Sequence, residues 1–554
     1  MMKKNKNKAK MARMPTKQAA PTNPISGMDI MRRIVNTGFS ESGASHKKGS
    51  LAAWNPIRSS PASDIDVNLN TLRARSADLV MSTPVASSAI NTSRTNVIGA
   101  GLKLSPRPKY SLLGISADEA EAWAKKTKEE FDLWATSKFC DVLKKNNFYD
   151  LQDIAYMCYL IDGDSFAAFK YRDPAPNMPY SLRIQVFEAS RVCNPGVQSM
   201  LGAISPWMVT VHNPNNGNRI VNGVEIDTDG AVVAYWICNR YPYDPTNMTQ
   251  LPVWQRVEAF GNLTGQPNVL QISHDERPEQ YRGIPYLAPV IEVIKQVGRY
   301  TEAELTSAII KSFFSLFFKE QTATTNGGFP LQPAVPDGER VTLDPNDFEL
   351  GPASLNVLPP GYDVTSVDAQ RSLSTFEPFT KELIKQIGAS IEQPYEVLMK
   401  AFNSSYTASR AALLQAWATF KTRRVWFSRD FCQPTYETWL AEAITIGRIE
   451  ALGFFDDPLV KKAWCNAEWY GPVMGVLDPV KEVQGAALRV QYGFSTREKE
   501  AAEMTGTAWD DNVERLATEQ TTMNRLGIPI ATAIVAKTDQ PQDEETGKGD
   551  SKTK

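Results

Sequence analysis

Two pairs of carboxylates stand close enough in the chain to hold a hard divalent cation, which takes oxygen ligands: Asp162 and Asp164 around Gly163, and Asp227 and Asp229 before Gly230. Both pairs lie at glycine-containing turns beside β-like runs. There a short acidic side chain more often accepts hydrogen bonds from the turn's own backbone, and both pairs are read that way. The tetrad His274-Asp-Glu-Arg277 offers a base, a metal ligand or an ion pair, and its histidine, at a strand end, is read as a structural group. The chain has three histidines, His46, His212 and His274, none in the frame of a nucleophilic triad, and G-x-S-x-G is absent. Its Gly547-Lys548 pair has Gln542 where a phosphate loop needs its first glycine and Gly549 where it needs Ser or Thr. Six cysteines, Cys140, Cys158, Cys193, Cys238, Cys432 and Cys465, include no Cys-x-x-Cys pair, so a reducing compartment is expected rather than zinc or a disulfide framework. These residues predict no enzyme, no metal site and no cofactor.

With 554 residues, 42% hydrophobic and 22% charged, the chain is long and apolar enough for about three or four compact units. Lys+Arg 60 against Asp+Glu 62 leaves a net charge of −2, which excludes long-range attraction as the means of holding nucleic acid; any such contact is local or steric. The most apolar stretch, 307–318, is interrupted by Lys311 and Ser312 and falls short of the ~20 residues that span a bilayer. Met-Met-Lys-Lys at the start has no apolar core behind it, so no secretory signal is read, and a soluble protein assembled in the cytoplasm is expected.

The elements that must position any site follow from periodicity. Residues 1–68 open with seven basic residues and continue Pro/Ser/Gly-rich, which predicts a disordered tail; 527–554 reads as a second tail. Folded material begins near Leu69 with helical patterns, one opened by Pro84, and Ser116-Ala-Asp-Glu119 fits a capping box. Strands follow over 165–171 and 182–187, and a hairpin turns at Asp227-Thr-Asp-Gly230, giving an α+β unit to about Gly283. A long helical pattern runs from Pro285 to Phe318, at 1.5 Å per residue ~50 Å, and ends in the cluster Phe313, Phe314, Phe317 and Phe318, read as packing between helices or subunits. A β-like insertion occupies 321–368. Helix then resumes with Phe376, Phe379, Leu383, Ile387 and Ile391 on one stripe and Lys381, Lys385, Gly388 and Glu392 on another face. Pro434 is expected to kink or break the next long helix, and Asp478-Pro479 and Ser495-Thr-Arg-Glu498 to start two more.

Several motifs, in order and at family-like spacing over about 69–526, make the chain resemble the lambda-like portal proteins of tailed bacteriophages. They are Arg75-Ser-Ala-Asp-Leu-Val80; Asn96-Val-Ile-Gly-Ala-Gly-Leu-Lys-Leu104; His274-Asp-Glu-Arg-Pro-Glu-Gln-Tyr-Arg-Gly-Ile-Pro-Tyr-Leu-Ala-Pro289; Leu358-Pro-Pro-Gly-Tyr362; Ser405-Tyr-Thr-Ala-Ser-Arg410 with Arg423-Arg424; and Tyr470-Gly-Pro472 with Asp478-Pro-Val-Lys-Glu482. The resemblance implies an α+β portal-type fold: a wing over 69–284, stem helices at 285–320 and 370–394 around a small β clip at 321–369, a tunnel loop at 395–410, and wing and crown helices over 411–526. It implies a ring, usually of twelve copies, at one capsid vertex of the virion, assembled in the host cytoplasm. Through it a separate terminase drives double-stranded DNA, and capsid or scaffold and head-completion proteins dock on it. Lys381, Lys385, Lys400, Asn403, Ser404, Ser405 and Arg410 would face the DNA channel, and Phe313, Phe314, Phe317 and Phe318 the neighbouring subunit. Competing readings are a capsid-shell or head-completion protein, a nuclease-type packaging enzyme and a membrane pore.

Overall fold

The computed structural model describes residues 43–195, 209–242, 244, 252–312, 316–320, 362–366, 376–402, 405–475, 479–507 and 509–527. The chain divides into Met1–Ser60 and Pro61–Lys554. Of the first unit, residues 43–53 form turns and bends, with Ser45 Oγ accepting from the Lys47 and Lys48 amides; 1–42, like 528–554, lies outside the described residues.

The larger unit begins earlier than the sequence predicts. A π turn, Ala62–Asp66, runs into helix α1 (Val67–Ser82), and Asp66 is buried, so 61–68 belongs to the fold rather than to the tail. Pro84 opens α2 (Pro84–Val97), whose face of Ala86, Ala89, Ile90 and Val97 is buried. After β1 (Lys103–Pro106), Ser116 caps α3 (Ala117–Ala135) through the expected reciprocal box with Glu119. The sequence reading has no counterpart for α4 (Phe148–Asp162), although its Asn147 and Asp150 form the same kind of box.

Antiparallel strands follow: β2 (Asp164–Tyr171), β3 (Leu182–Glu188), β4 (Thr210–His212), β5 (Arg219–Val221), β6 (Val224–Ile226), β7 (Val232–Cys238), β8 (Trp254–Glu258) and β9 (Val269–Ser273). They make two sheets, ordered β3-β2-β9 and β4-β5-β6-β7-β8. The β6–β7 hairpin stands where expected: Asp227 Oδ1 accepts from the amides of Asp229 (2.9 Å) and Ala231 (2.8 Å), the turn role read for that pair. Phe166, Phe187, Val192, Ile226, Tyr235 and Ile237 fill a small core of their own.

Helix α5 (Ile291–Ser312) stops short of Phe318. At 22 residues it reaches about 33 Å, and the chain passes into strand β10 (Leu316–Glu320), paired with β11 (Tyr362–Ser366) from the far side of the insertion. Phe317 and Phe318 are therefore strand residues, not the end of a helix. A short run of aromatics without 3.6-residue spacing suits a pleated ribbon better than a continued helix. Phe313 and Phe314, and the β-like insertion expected at 321–368 apart from 362–366, lie outside the described residues.

Helices α6 (Phe376–Ser390) and α7 (Tyr395–Met399) precede α8 (Tyr406–Phe427). Gly388 is buried on α6, where a Cβ would lie 2.4 Å from the Gln393 carbonyl oxygen. Pro434 does not break the helix. A π turn, Ser428–Cys432, leads directly into α9 (Gln433–Thr445) with the proline in its first turn, where an amide donor is dispensable. After α10 (Pro458–Trp464), β12 (Ala467–Tyr470) pairs with β1, and α11 (Pro479–Gln491), α12 (Arg497–Thr505) and α13 (Trp509–Leu526) follow. The cap of α12 is Thr496, which accepts from Lys499, one residue beyond the expected Ser495; Asp478 lies outside the described residues. The main core is aromatic: Phe131 meets Trp439 edge-on at 5.0 Å, and Phe148 stacks on Phe431 at 5.7 Å.

Candidate functional site

Gly163 ends α4 with a left-handed backbone (φ +91°), and the next residue, Asp164, is buried without exposure at the start of β2. Its Oδ1 accepts from Arg73 Nη2 (2.8 Å) and Arg282 Nη2 (3.1 Å), and its Oδ2 from Arg282 Nε (2.6 Å) and the Gly283 amide (3.2 Å). Arg282 spends its remaining N–H groups on the carbonyls of Ala189 (2.9 Å), Val192 (2.8 Å) and Asn222, and Arg73 Nε donates to the Asp162 carbonyl (2.8 Å). Asp164 is thus an ion-pair centre joining α1, β2, the 189–192 segment and the approach to α5, which corrects the turn role read for it. A Cβ on Gly283 would lie 1.9 Å from the Gly163 oxygen, so the backbones meet there without room for a side chain. Among the described residues no acidic, histidine or cysteine cluster is arranged to hold a metal.

The surrounding carboxyls carry the cost of burial. Desolvation opposes ionisation of Asp164, but Arg282 and Arg73 outweigh it and hold the group below the usual carboxylate range. Burial pushes Asp66 up to about 6, against attraction from the same arginines, and Asp162 up to about 7. A carboxyl with a raised folded-state pKa binds its proton more tightly in the fold than in the open chain. Its contribution to stability therefore grows as pH falls from about 8 through 7 and 6 toward the unfolded value near ~4. Asp162→Asn is expected to shrink the rise in melting temperature between pH 8 and pH 5.5; an unchanged rise would contradict this assignment.

The motif residues converge elsewhere too. Arg424 donates to the carbonyls of Val97 (3.1 Å) and Asn96 (2.8 Å), and a Cβ on Gly471 would lie 2.5 Å from Leu102 and 2.9 Å from Arg424 Nε. The runs 96–104, 423–424 and 470–472 thus form one junction. His274 stacks on Trp426 with ring centroids 3.9 Å apart, in keeping with the structural role read for it.

A second junction supports the segment between α6 and α8. Buried Gln393 donates to the Ala89 carbonyl (2.9 Å) and to Tyr286 Oη (3.3 Å), whose own hydroxyl donates to the Ile391 carbonyl. Ser88 Oγ donates to the Leu398 carbonyl (2.6 Å), and Arg423 lies over the Tyr286 ring at 4.5 Å. From this anchored base the chain leaves α7 at Lys400, in the left-handed region (φ +54°), and re-enters helix at Ser405, whose hydroxyl accepts from the Ala408 amide (3.4 Å). Ser405→Ala is expected to cost about 1 kcal/mol, read as a lower melting temperature and faster exchange of the Ala408 amide.

Of the residues the sequence places in a channel, Lys381 and Lys385 are exposed on α6, the first 5.4 Å over the Tyr395 ring and the second 3.2 Å from Glu382. Arg410 sits 3.6 Å from Glu482 of α11, and Lys400 is exposed. Asn403 and Ser404 lie outside the described residues. Arg73 and Gln393 escape the sequence reading, and so does the pairing of Asp164 with Arg282, which are 118 residues apart and carry no local pattern.

The family model for phage portal proteins of the lambda family matches residues 47–424. Portal protein B of Escherichia phage lambda is 25% identical over 501 residues, covering 87% of this chain and 90% of that protein. The portal protein of Escherichia phage N15 is 25% identical over 473 residues, covering 82% and 84%. Among solved structures, a chain from the virion of a native gene transfer agent particle aligns over 78% of this chain and 92% of its own, at 11% identity and a TM-score of 0.38. The matched span takes in the Asp164 centre, the Gln393 junction and both helices that flank the insertion, and the chain belongs to the lambda family of phage portal proteins.

Proposed function

We propose that this portal protein works as a closed ring, of twelve copies, around a channel for double-stranded DNA at one capsid vertex. Its wing is the α+β part to about residue 284, its stem α5 and α6, its clip the insertion that includes β10 and β11, its tunnel loop the segment 395–410, and its crown the helices that follow. The observation that carries this reading is the family match, which runs through both stem helices. Large apolar side chains left exposed on one chain support it: Leu305, Ile309 and Phe379 on the stem, and Val480, Val483, Leu516 and Leu526 on α11 and α13, are faces that neighbours in a ring would cover. No helix among the described residues is long and apolar enough to cross a membrane. The partners that follow are a terminase supplying the energy, a capsid or scaffold protein around the wing and a head-completion protein; assembly takes place in the host cytoplasm, and this chain needs neither catalysis nor a cofactor. Negative-stain images of the purified protein are expected to show rings in top view. A monodisperse monomer at micromolar concentration by light scattering would overturn the proposal, and closed shells would assign the chain to the capsid wall.

A further inference from the structure

Helices α11, α12 and α13 add almost nothing to the apolar interior. Of their residues only Ala486, Glu500 and Ala502 are buried, and α13 buries none of its 18. Neither apolar core takes in a side chain from them, even among the partly buried ones packed at its edge. Charge joins them to the rest of the chain instead. Lys125 and Lys128, three residues apart on α3, meet Glu514 (2.5 Å) and Asp511 (2.9 Å), three residues apart on α13. Residues at that spacing are neighbours on a helix surface, so the two pairs lie side by side. Lys421 of α8 meets Glu503 of α12 at 3.2 Å, Arg410 of α8 meets Glu482 of α11 at 3.6 Å, and Arg107, just after β1, pairs with Glu498 of α12. In all five the acid stands on the terminal helices and the base on the seat beneath them. Between α3 and α13 a cleft of about 600 Å³, lined by Ala117, Ala120 and Ala124 of the first and Asp510, Asp511 and Glu514 of the second, takes the place of packed side chains.

The ties among the three helices are of another kind. Arg489 of α11 donates twice to buried Glu500 of α12 (2.6 and 2.8 Å), a two-pronged pair that is stronger than a single contact. Arg497 lies over the Trp509 ring at 5.7 Å, and Asn512 donates to the Thr507 hydroxyl (2.7 Å) at the turn from α12 to α13. The pairs to the seat are open to solvent by contrast: Lys125 and Glu514 keep 58% and 65% of their side-chain surface exposed. Such pairs are weak one by one and are screened by salt, whose reach shortens from ~10 Å at 0.1 M to ~3 Å at 1 M. The three helices therefore hold to one another more firmly than to their seat.

We propose that α11–α13 form a charge-clasped lobe, seated at low ionic strength on basic side chains of α3, α8 and the segment after β1, and released as a unit at high ionic strength. Release leaves both apolar cores intact, because the lobe has no side chain in either. It uncovers the lysines and arginines of the seat and frees Arg410 at the start of α8. The connection after β12 has room to turn at Gly475, where an added Cβ would meet nothing within 4 Å.

The test follows amide hydrogen exchange of the full-length protein by mass spectrometry at about 50 mM and about 1 M NaCl. Once unseated, α13 has no packing to keep it, and lone helices are marginal in water, so peptides over 509–526 are expected to exchange about tenfold faster at the higher salt, while the core helix α9 is unchanged. Lys125→Glu with Lys128→Glu sets acids against acids and is expected to give the fast exchange already at low salt. Adding Asp511→Lys and Glu514→Lys swaps the pairs and is expected to restore slow exchange, which a merely structural disturbance would not do. If the substituted chains fail to fold, the salt series on the unsubstituted protein still decides. Exchange over 509–526 that ignores salt, a salt effect shared equally by α9, or fast exchange that persists in the swapped variant would overturn the proposal.

Discussion

Asp164→Ala is expected to destabilise the protein by about 3–5 kcal/mol, enough to prevent folding of a chain with ordinary stability reserves. Arg73 and Arg282 keep 8% and 1% of their side-chain surface exposed, and Asp164 is the carboxylate that pairs with both. With Asp164 in place burial brings Arg73 down to about 10, and a guanidinium keeps its charge inside a protein, so both groups stay charged at neutral pH when their partner is removed. The loss thus leaves two uncompensated buried cations, which costs far more than the net worth of the ion pairs themselves. Arg73→Ala should do less harm, because Arg282 and the Gly283 amide still satisfy Asp164. Urea unfolding checks both, and a loss below about 1 kcal/mol for Asp164→Ala would show that water or another carboxyl replaces it.

That centre illustrates what sequence reading can reach. Local patterns were legible wherever the cause is local: Ser116 with Glu119, the Asp227 turn, the Pro84 start and the alternation of 182–187 each depend on residues within a few positions. The stripe on α6 was legible only in part. Ile387 and Ile391 are buried, whereas Phe379 keeps 52% of its surface, because periodicity records an apolar face without saying whether the chain itself covers it. Phe317 and Phe318 were misplaced because a dense aromatic run has no period to separate helix from strand, and their pairing partners lie across the insertion at Thr365 and Val364. Asp164 looked like a turn residue because its arginines come from α1 and from the motif at 274–289, contacts that only the tertiary fold creates. The motifs that carried the family resemblance prove to be such contact points: Arg282 and Gly283 at the ion centre, Arg424 and Gly471 at the β1–β12 junction.

Deleting residues 401–404 is expected to leave rings intact and to reduce sharply the DNA that packaged heads retain. Assembly should survive because the anchoring of this region lies on either side of the deleted residues. Val397 and Leu398 are buried, Ser88 holds the Leu398 carbonyl, and Gln393 fixes the end of α6, whereas Phe402 keeps 47% of its surface exposed. Retention should fall because the segment between Lys400 and Ser405 is, on the proposed reading, the tunnel loop that narrows the channel. On that reading its polar side chains and the flanking charges would make weak, salt-dependent contacts with phosphates, and a conduit needs such contacts to be weak, since each firmly neutralised phosphate would oppose sliding. Arg410 contributes less of that charge than its position suggests, being partly engaged with Glu482. Because shortening the connection could also strain the start of α8, a second variant replaces 401–404 with four glycines, which keeps the length and removes the side chains. Rings of either variant, incorporated into heads and assayed for nuclease-protected DNA, separate the readings: heads that fill and hold DNA normally would make the segment a plain connection between α7 and α8, with Ser405 as nothing more than its helix cap.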